Sequence, residues 1–504
     1  MIWHIFKKDL RLHWLFAAGV AALGWIGPLV VYRADHAGAL SNQQQAWSLM
    51  QLLIVGQLLA SGILAATIVQ SDALPGVRQD WLIRPIERRD LLLAKLLFVA
   101  TLISGPVFIG DFVESLANSF STGDALAASL LRGVCLLAAF YLPVLAFASI
   151  TRNLTENIVA VVIAVAICAG LDTLINMMLP LHWQRMGSSG IDWIVWFTFF
   201  LLAAAGAGTI LALQYFRRRV VAARWLTAAF GLLGVMVASP PWQMAFAVQQ
   251  RLSPHPGTAS PVNLEFQPSL GRYREPSHNS GAGFRYIRRE EGATVYLPIH
   301  ISGLGADSVL RTDLLQATVN GVHLTPVIPP VVRDGASVTH ALVFVPAPVY
   351  SQLRDQPVRL ELNYSLTLLR LAESHAVPSL HDWQDVPGFG RCETILNKAG
   401  TAVDLHCLMN SSTPPCATFF LEHTPTGRRT PATVFCGGQY TPFYPLFEPD
   451  PWRRAEIGVP FNAFVIAAEA GESRVVMRFY GAMDHFTRHL EIPDVRLSDW
   501  VAMQ

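Results

Sequence analysis

The sequence predicts a polytopic α-helical membrane domain followed by an all-β, sandwich-like soluble domain. Three observations point there. Charged residues make up only 14% of the 504, and hydrophobic residues 52%, whereas a soluble chain carries about a quarter charged residues. The shortfall is uneven: Trp14 to Ala247 is nearly all apolar runs, and from Ser253 polar and apolar residues mix in the ordinary way. In that second half the apolar residues recur at every second position, the period of a strand buried on one face. The formal net charge of +1 carries no electrostatic footprint for nucleic acid.

Crossing a bilayer takes about 20 apolar residues in a helix. The candidates are 13–32, 46–70, 92–112, 127–150, 157–179, 192–215 and 225–247, about seven transmembrane helices within a domain of 13–250, with Arg132 blurring the start of the fourth. The first follows a basic stretch but is too long for a signal peptide and ends in no cleavage site, so it reads as an uncleaved span. Lys7, Lys8, Arg11, Arg78, Arg84, Arg88, Arg89, Arg152, Arg217, Arg218, Arg219 and Arg224 fall in one set of loops, and only Arg33 and Arg185 in the other. Positively charged loops stay cytoplasmic. Seven spans therefore place the N-terminus in the cytoplasm and everything after Ala247 outside it.

Cysteine placement is an independent signal. Cys135 and Cys168 lie within spans and read as apolar fillers, while Cys392, Cys407, Cys416 and Cys436 lie in the soluble half. Four cysteines in an extracytoplasmic domain imply two disulfides. Spacing favours Cys392–Cys407 with Cys416–Cys436, and the two other connectivities stay open.

Charges inside the spans are costly unless paired or hydrated, at least ~2.5 kcal/mol each. Asp111 and Glu114 close the outer end of the third span, and Arg132 and Asp172 lie deeper in theirs. Two readings stand: Arg132 snorkels while Asp172 faces a wet cleft, or the two pair across helices.

Residues 251–290, rich in Pro, Ser, Gly and His, read as a linker, and 291–504 as the β domain. Val295, Leu297, Ile299 and Ile301 alternate with polar residues, as do Val358, Leu360, Leu362, Tyr364, Leu366 and Leu368. Similar runs occur at 340–346, 418–422, 462–468 and 474–480, with turn signals at Asn320-Gly321, Gly437-Gly438 and Gly471-Glu472. One β-sandwich, or two small ones, fits this spacing. Aromatics at 440–447 read as a packed loop or a binding surface. No nucleophile elbow, zinc-protease helix or phosphate-binding GxxxxGK[ST] loop occurs, so no enzyme activity, cofactor or metal is expected and any ATP hydrolysis belongs to a separate polypeptide.

The stretch 71–95 joins the second and third spans on the basic side. It reads either as a short amphipathic helix offering Glu87, Arg88, Arg89 and Asp90 to a partner, or as a loop that only enforces orientation. Its pattern is an aromatic (Trp81), then Arg84, Pro85, Ile86, Arg88 and finally Lys95, preceded in the chain by an amphipathic start with Ile2, Trp3, Ile5 and Phe6 against Lys7, Lys8 and Arg11. Over roughly residues 1–220 this resembles the permease subunits of ABC-2 type transporters.

The resemblance implies an interfacial helix at 1–12 and a coupling helix at 71–95 that docks on a cytoplasmic P-loop ATPase. It also implies a working unit of two permeases, as homodimer or heterodimer, with two ATPases, and export across the inner membrane of a bacterium. Such permeases often have six spans with both ends in the cytoplasm, so the seventh span and the outer domain depart from the pattern. The competing expectation is a membrane-anchored binding or sensing module without transport. A tethered enzyme is disfavoured by the missing catalytic constellation.

Overall fold

The computed structural model describes residues 1–36, 43–71, 87–118, 120–178, 192–217, 219–238, 242–271, 292–305, 307–324, 338–387, 390–397, 401–409, 416–430, 432–436, 453–460 and 471–501. In the first half the described residues form α1 (Ile2–His36), α2 (Gln43–Gln70), α3 (Arg88–Phe98), α4 (Gly105–Ala117), α5 (Thr122–Leu136), α6 (Leu142–Ile150), α7 (Leu154–Met178), α8 (Asp192–Ala212), α9 (Val220–Ala238) and α10 (Trp242–Arg251). Helix α3 continues into α4 through a π-turn at Val99–Ser104, and α5 into α6 through one at Leu137–Tyr141. Each π-turn immediately precedes a helical segment with proline in its first turn, Pro106 and Pro143 respectively. Proline lacks an N–H and its ring crowds the carbonyl four residues back, and a widened turn relieves that clash. A third π-turn, Leu213–Arg217, ends α8.

Six described helical stretches are long and apolar enough to cross a membrane: Ile2–Gly27, Leu52–Gln70, Arg88–Ala117, Thr122–Ile150, Leu154–Leu171 and Phe197–Arg217. The seventh expected span, 225–247, is not among them. Its apolar helix is Val220–Met236, shorter than the others, and α9 stops at Ala238, just before Pro240 and Pro241. The prolines split the apolar run that the sequence presents as continuous. Nor is there a separate helix at 1–12. No Gly or Pro lies between Ile2 and Ala18, and α1 runs unbroken from Ile2 through the first expected span.

The second half comprises β1 (Asn263–Phe266), β2 (Gly292–Ser302), β3 (Ser308–Val319), β4 (Val322–His323), β5 (Val338–Pro346), β6 (Val358–Pro378), β7 (His381–Val386), β8 (Gly390–Leu396), β9 (Ala402–Met409), β10 (Cys416–His423), β11 (Thr433–Phe435), β12 (Arg453–Pro460) and β13 (Ser473–Val495). They make three sheets, ordered β1-β2-β5, β11-β10-β13-β6-β3-β4 and β12-β9-β8-β7.

Two lobes share the middle sheet. In the first, Val295, Leu297, Ile299 and Ile301 of β2 pack with Leu360, Leu362, Tyr364 and Leu366 of β6, the alternating residues that predict both strands. In the second, Val403, Leu405 and Val459 pack with Phe419, Leu421, Val475 and Met477. Strands β6 and β13 run through both lobes, and their register breaks at Phe479/Tyr480 and Ala482/Asp484. Such bulges bend and twist a strand, and these fall where one lobe gives way to the other. Asn320 and Gly321, both at positive φ (47° and 80°), make the tight β3–β4 turn their sequence signals.

The expected linker at 251–290 is, in its described part, an ordered element. β1 pairs with β2, and Gly257 at φ 87° supplies a compact turn, so the Pro/Gly content that reads as a tether serves a docked turn. The expected strand at 462–468, the Gly437-Gly438 turn and the 440–447 aromatics lie outside the described residues.

Candidate functional site

At one end of the helical half, Lys95 near the end of α3 meets Asp9 of α1, Nζ to Oδ2 2.7 Å, with side chains 1% and 0% exposed. Neither charge is tolerable there without the other, so the pair pins the last turn of α3 to the start of α1. Lys95 thus sits inside the bundle, at the exit of the loop it was expected to help present. Asp9 escapes a reading of the sequence because it sits among Lys7, Lys8 and Arg11. Its signal is position: with Ile5 and Phe6, both buried, it falls on the apolar face of the helix.

Of the other loop residues, Trp81, Arg84 and Pro85 lie outside the described residues. Arg88 Nη1 donates to Phe216 O at 2.9 Å, which commits it to the third π-turn. Arg89 lies 2.5 Å from Glu87 and 4.0 Å from Asp90. Glu87 and Arg89 remain on the surface, 61% and 69% exposed. Nearby, Arg224 Nη2 donates to Ile150 O at 3.1 Å, and Gln70 Nε2 to Thr151 Oγ1 at 3.0 Å. The ends of α2, α6 and α8 and the starts of α3 and α9 therefore gather the basic residues at one end of the bundle.

Toward the other end, Arg132 of α5 meets Asp111 of α4, Nη1 to Oδ1 2.6 Å. Asp111 replaces the Asp172 that the sequence offered as a partner, and the Asp172 side chain lies outside the described residues. The reason is the hairpin: α4 and α5 are antiparallel arms joined by a short turn. Ser121 caps α5, its Oγ accepting from Asp124 N at 3.2 Å. This sets the helix start five residues before the expected 127. Glu114 and Asn118 are buried on the same face as Asp111.

Beyond the turn sits the second β lobe. Arg391 Nη1 donates to Asn118 O, and Phe120 packs on Leu408 with Ala128 alongside. The first lobe is seated separately, on α10: Ala245 and Phe246 pack on Leu314. A buried polar chain continues from there. Arg311 Nε lies 2.6 Å from Asp313 Oδ1; Thr367 Oγ1 donates to Asp313 Oδ2 at 2.5 Å. Thr367 Oγ1 is 2.8 Å from His485 Nδ1, itself 3.1 Å from Gln249 Nε2 of α10. Burial holds the His485 ring below its ordinary range, with Asp313 and Asp484 pulling it up and Arg311 pushing it down, so the ring is neutral near pH 7.

The turn after α10 is bound along β13. His485 N donates to Ser253 Oγ at 3.0 Å and His255 N to Met483 O at 2.9 Å. The Asp484 carboxylate accepts from Gly257 N and Ala259 N at 2.9 and 3.1 Å. Arg488 donates to Val262 O and Ala259 O at 2.9 and 2.8 Å.

Helix Arg88–Ala117 holds Arg88 at the basic end and leads to Asn118 under the β half. Its 30 residues span about 45 Å at ~1.5 Å each. The basic end and the β half therefore occupy opposite ends of the bundle. In the β half, Cys392 and Cys407 face each other directly across β8 and β9 and are bonded, as are Cys416 and Cys436. This is the pairing favoured by spacing. Comparison with protein-family models and with characterised proteins finds no match.

Proposed function

We propose that the chain is the permease subunit of an ABC-2 type exporter in a bacterial inner membrane, driven by a separate cytoplasmic P-loop ATPase that docks on the 71–95 loop. The observation that carries this reading is the Asp9–Lys95 pair. It ties the helix leaving that loop to the N-terminal helix, so a push on the loop is passed to two membrane helices together. The opposition of basic end and β half supports a cytoplasmic loop face and an extracytoplasmic β domain, with α9 as the seventh crossing. The two disulfides agree with an oxidising compartment. The working unit is two permease copies with two ATPase subunits.

Docking falls to Glu87 and Arg89 on the surface rather than to Arg88, which holds Phe216. Co-expression and co-purification with candidate P-loop ATPase subunits test the reading: Glu87→Lys/Arg89→Glu is expected to lose the ATPase while the bundle stays folded. An ATPase retained in full by that variant removes the docking role, and a chain that captures none even as wild type is the anchored binding module instead.

A further inference from the structure

The two π-turns lie in neighbouring helices and touch each other. Both fall in the middle of otherwise continuous membrane-length helices, Arg88–Ala117 and Thr122–Ile150. Each hairpin arm is therefore weakest at the same depth, where the α-helical hydrogen-bond ladder is interrupted. Ser104 in the first π-turn has a buried hydroxyl without a hydrogen-bond partner among the described residues. Tyr141 in the second is buried.

On either side of this level the structure is tied by different means. On the basic side Lys95 binds Asp9, and α6 packs on α2 and α8. On the far side Arg132 binds Asp111, and the turn between the arms holds the second β lobe through Asn118, Phe120, Arg391 and Leu408. One buried ion pair thus lies on each side of the level, Asp9–Lys95 between α1 and α3 and Asp111–Arg132 between α4 and α5.

We propose that the hairpin is a hinge at the paired π-turns, across which α4, α5 and the second β lobe at their tip tilt against α3 and α6 along the unbroken α1. Pro106 and Pro143 set the pivot. The inference is independent of what the membrane half carries.

Hydrogen exchange of the full chain in lipid nanodiscs tests it without any substitution. The amides of 101–105 and 138–142 are expected to exchange at least roughly tenfold faster than those of 109–116 and 125–133, as for a locally opening segment between stable ones. Uniform protection along both arms overturns the hinge. A second measurement uses spin labels at Leu396→Cys in the second lobe and Arg152→Cys at the basic end, with Cys135 and Cys168 replaced by serine. The distance distribution is expected to be broad or two-peaked, and to narrow in Pro106→Ala/Pro143→Ala. A narrow distribution unaltered by removing the prolines overturns it.

Discussion

The helical half and the β half bury charge by different means. In the helices two buried acids are met by cations on other helices: Asp9 by Lys95, Asp111 by Arg132. In the β half the buried acids have several donors. Asp484 takes two backbone N–H groups, Asp313 takes Arg311 and Thr367, and Glu422 takes Arg429 and Arg474. The difference follows from the backbone. A helix uses its N–H groups internally, so a charge within it must be matched by a distant side chain. Bulges and turns leave N–H groups free to close on a carboxylate. Charge in the helical half is therefore a long-range bolt between elements, and in the β half a local clasp.

That contrast can be broken most sharply at Lys95. Lys95→Met leaves Asp9 buried without the ammonium that faces it, at an expected cost of about 3–5 kcal/mol, read as loss of monodisperse protein after extraction and heating. The double variant Asp9→Leu/Lys95→Met is expected to recover most of that loss. A double variant as damaged as the single would mean that α1 and α3 depend on the ions themselves.

Next come the disulfides, the covalent staples of the β half. Reduction is expected to cost about 3 kcal/mol for the bond that closes a separation of 15 residues, Cys392–Cys407. Melting with and without reductant reads it. Alkylation of the native protein is expected to label at most Cys135 and Cys168, the free pair; reaction at any of the other four would remove the staples from the comparison.

A smaller effect is expected at Asp484. Asp484→Asn keeps an acceptor oxygen but loses the charge, so about 1 kcal/mol is lost. Faster hydrogen exchange at Gly257 and Ala259, with the bundle unchanged, would mark it as a local clasp. Loss of the whole fold would make it a bolt like Lys95.

The smallest effect is a pH dependence. His485 has its folded pKa depressed by burial, so its contribution is present above the unfolded pKa, about 6.5, and is lost as pH falls below that value toward the folded one. The groups facing the ring are Asp313, Asp484 and Arg311. Exchange in α10, corrected for intrinsic rates, is expected to rise between pH 7.5 and 5.5 in the wild type and to stay level in His485→Asn. Parallel curves in the two proteins would place the sensitivity elsewhere.

The architecture was legible where one period ran unopposed. Apolar length marked the helices, and alternation at 295–301 and 358–368 marked β2 and β6. The disulfide pairing followed from spacing because both pairs join neighbouring strands. Pairings between distant elements were not legible. Nothing local links Asp9 to Lys95, or Arg132 to Asp111 rather than Asp172. The π-turns had a written cause in Pro106 and Pro143, but apolarity hides a proline in a span, since bilayer helices tolerate it. Asn118, Gln249 and Arg391 drew no notice, and His485 reads in the sequence only as one of several scattered histidines in a strand, because their roles exist only once the β half is seated.

Strands β6 and β13 run through both lobes, and this sets the order of biogenesis. Pro378 pairs with Arg474, and Val358 with Val495, so the middle of the shared sheet closes only on a strand made late in synthesis. A chain emerged as far as residue 472 has neither lobe complete, and β6 waits with its β13 edge open, a template for mispairing. The lobes cannot be acquired one after the other, and contacts so far apart in sequence form slowly. The interval between synthesis of β6 and arrival of β13 is the one in which this chain most needs a chaperone.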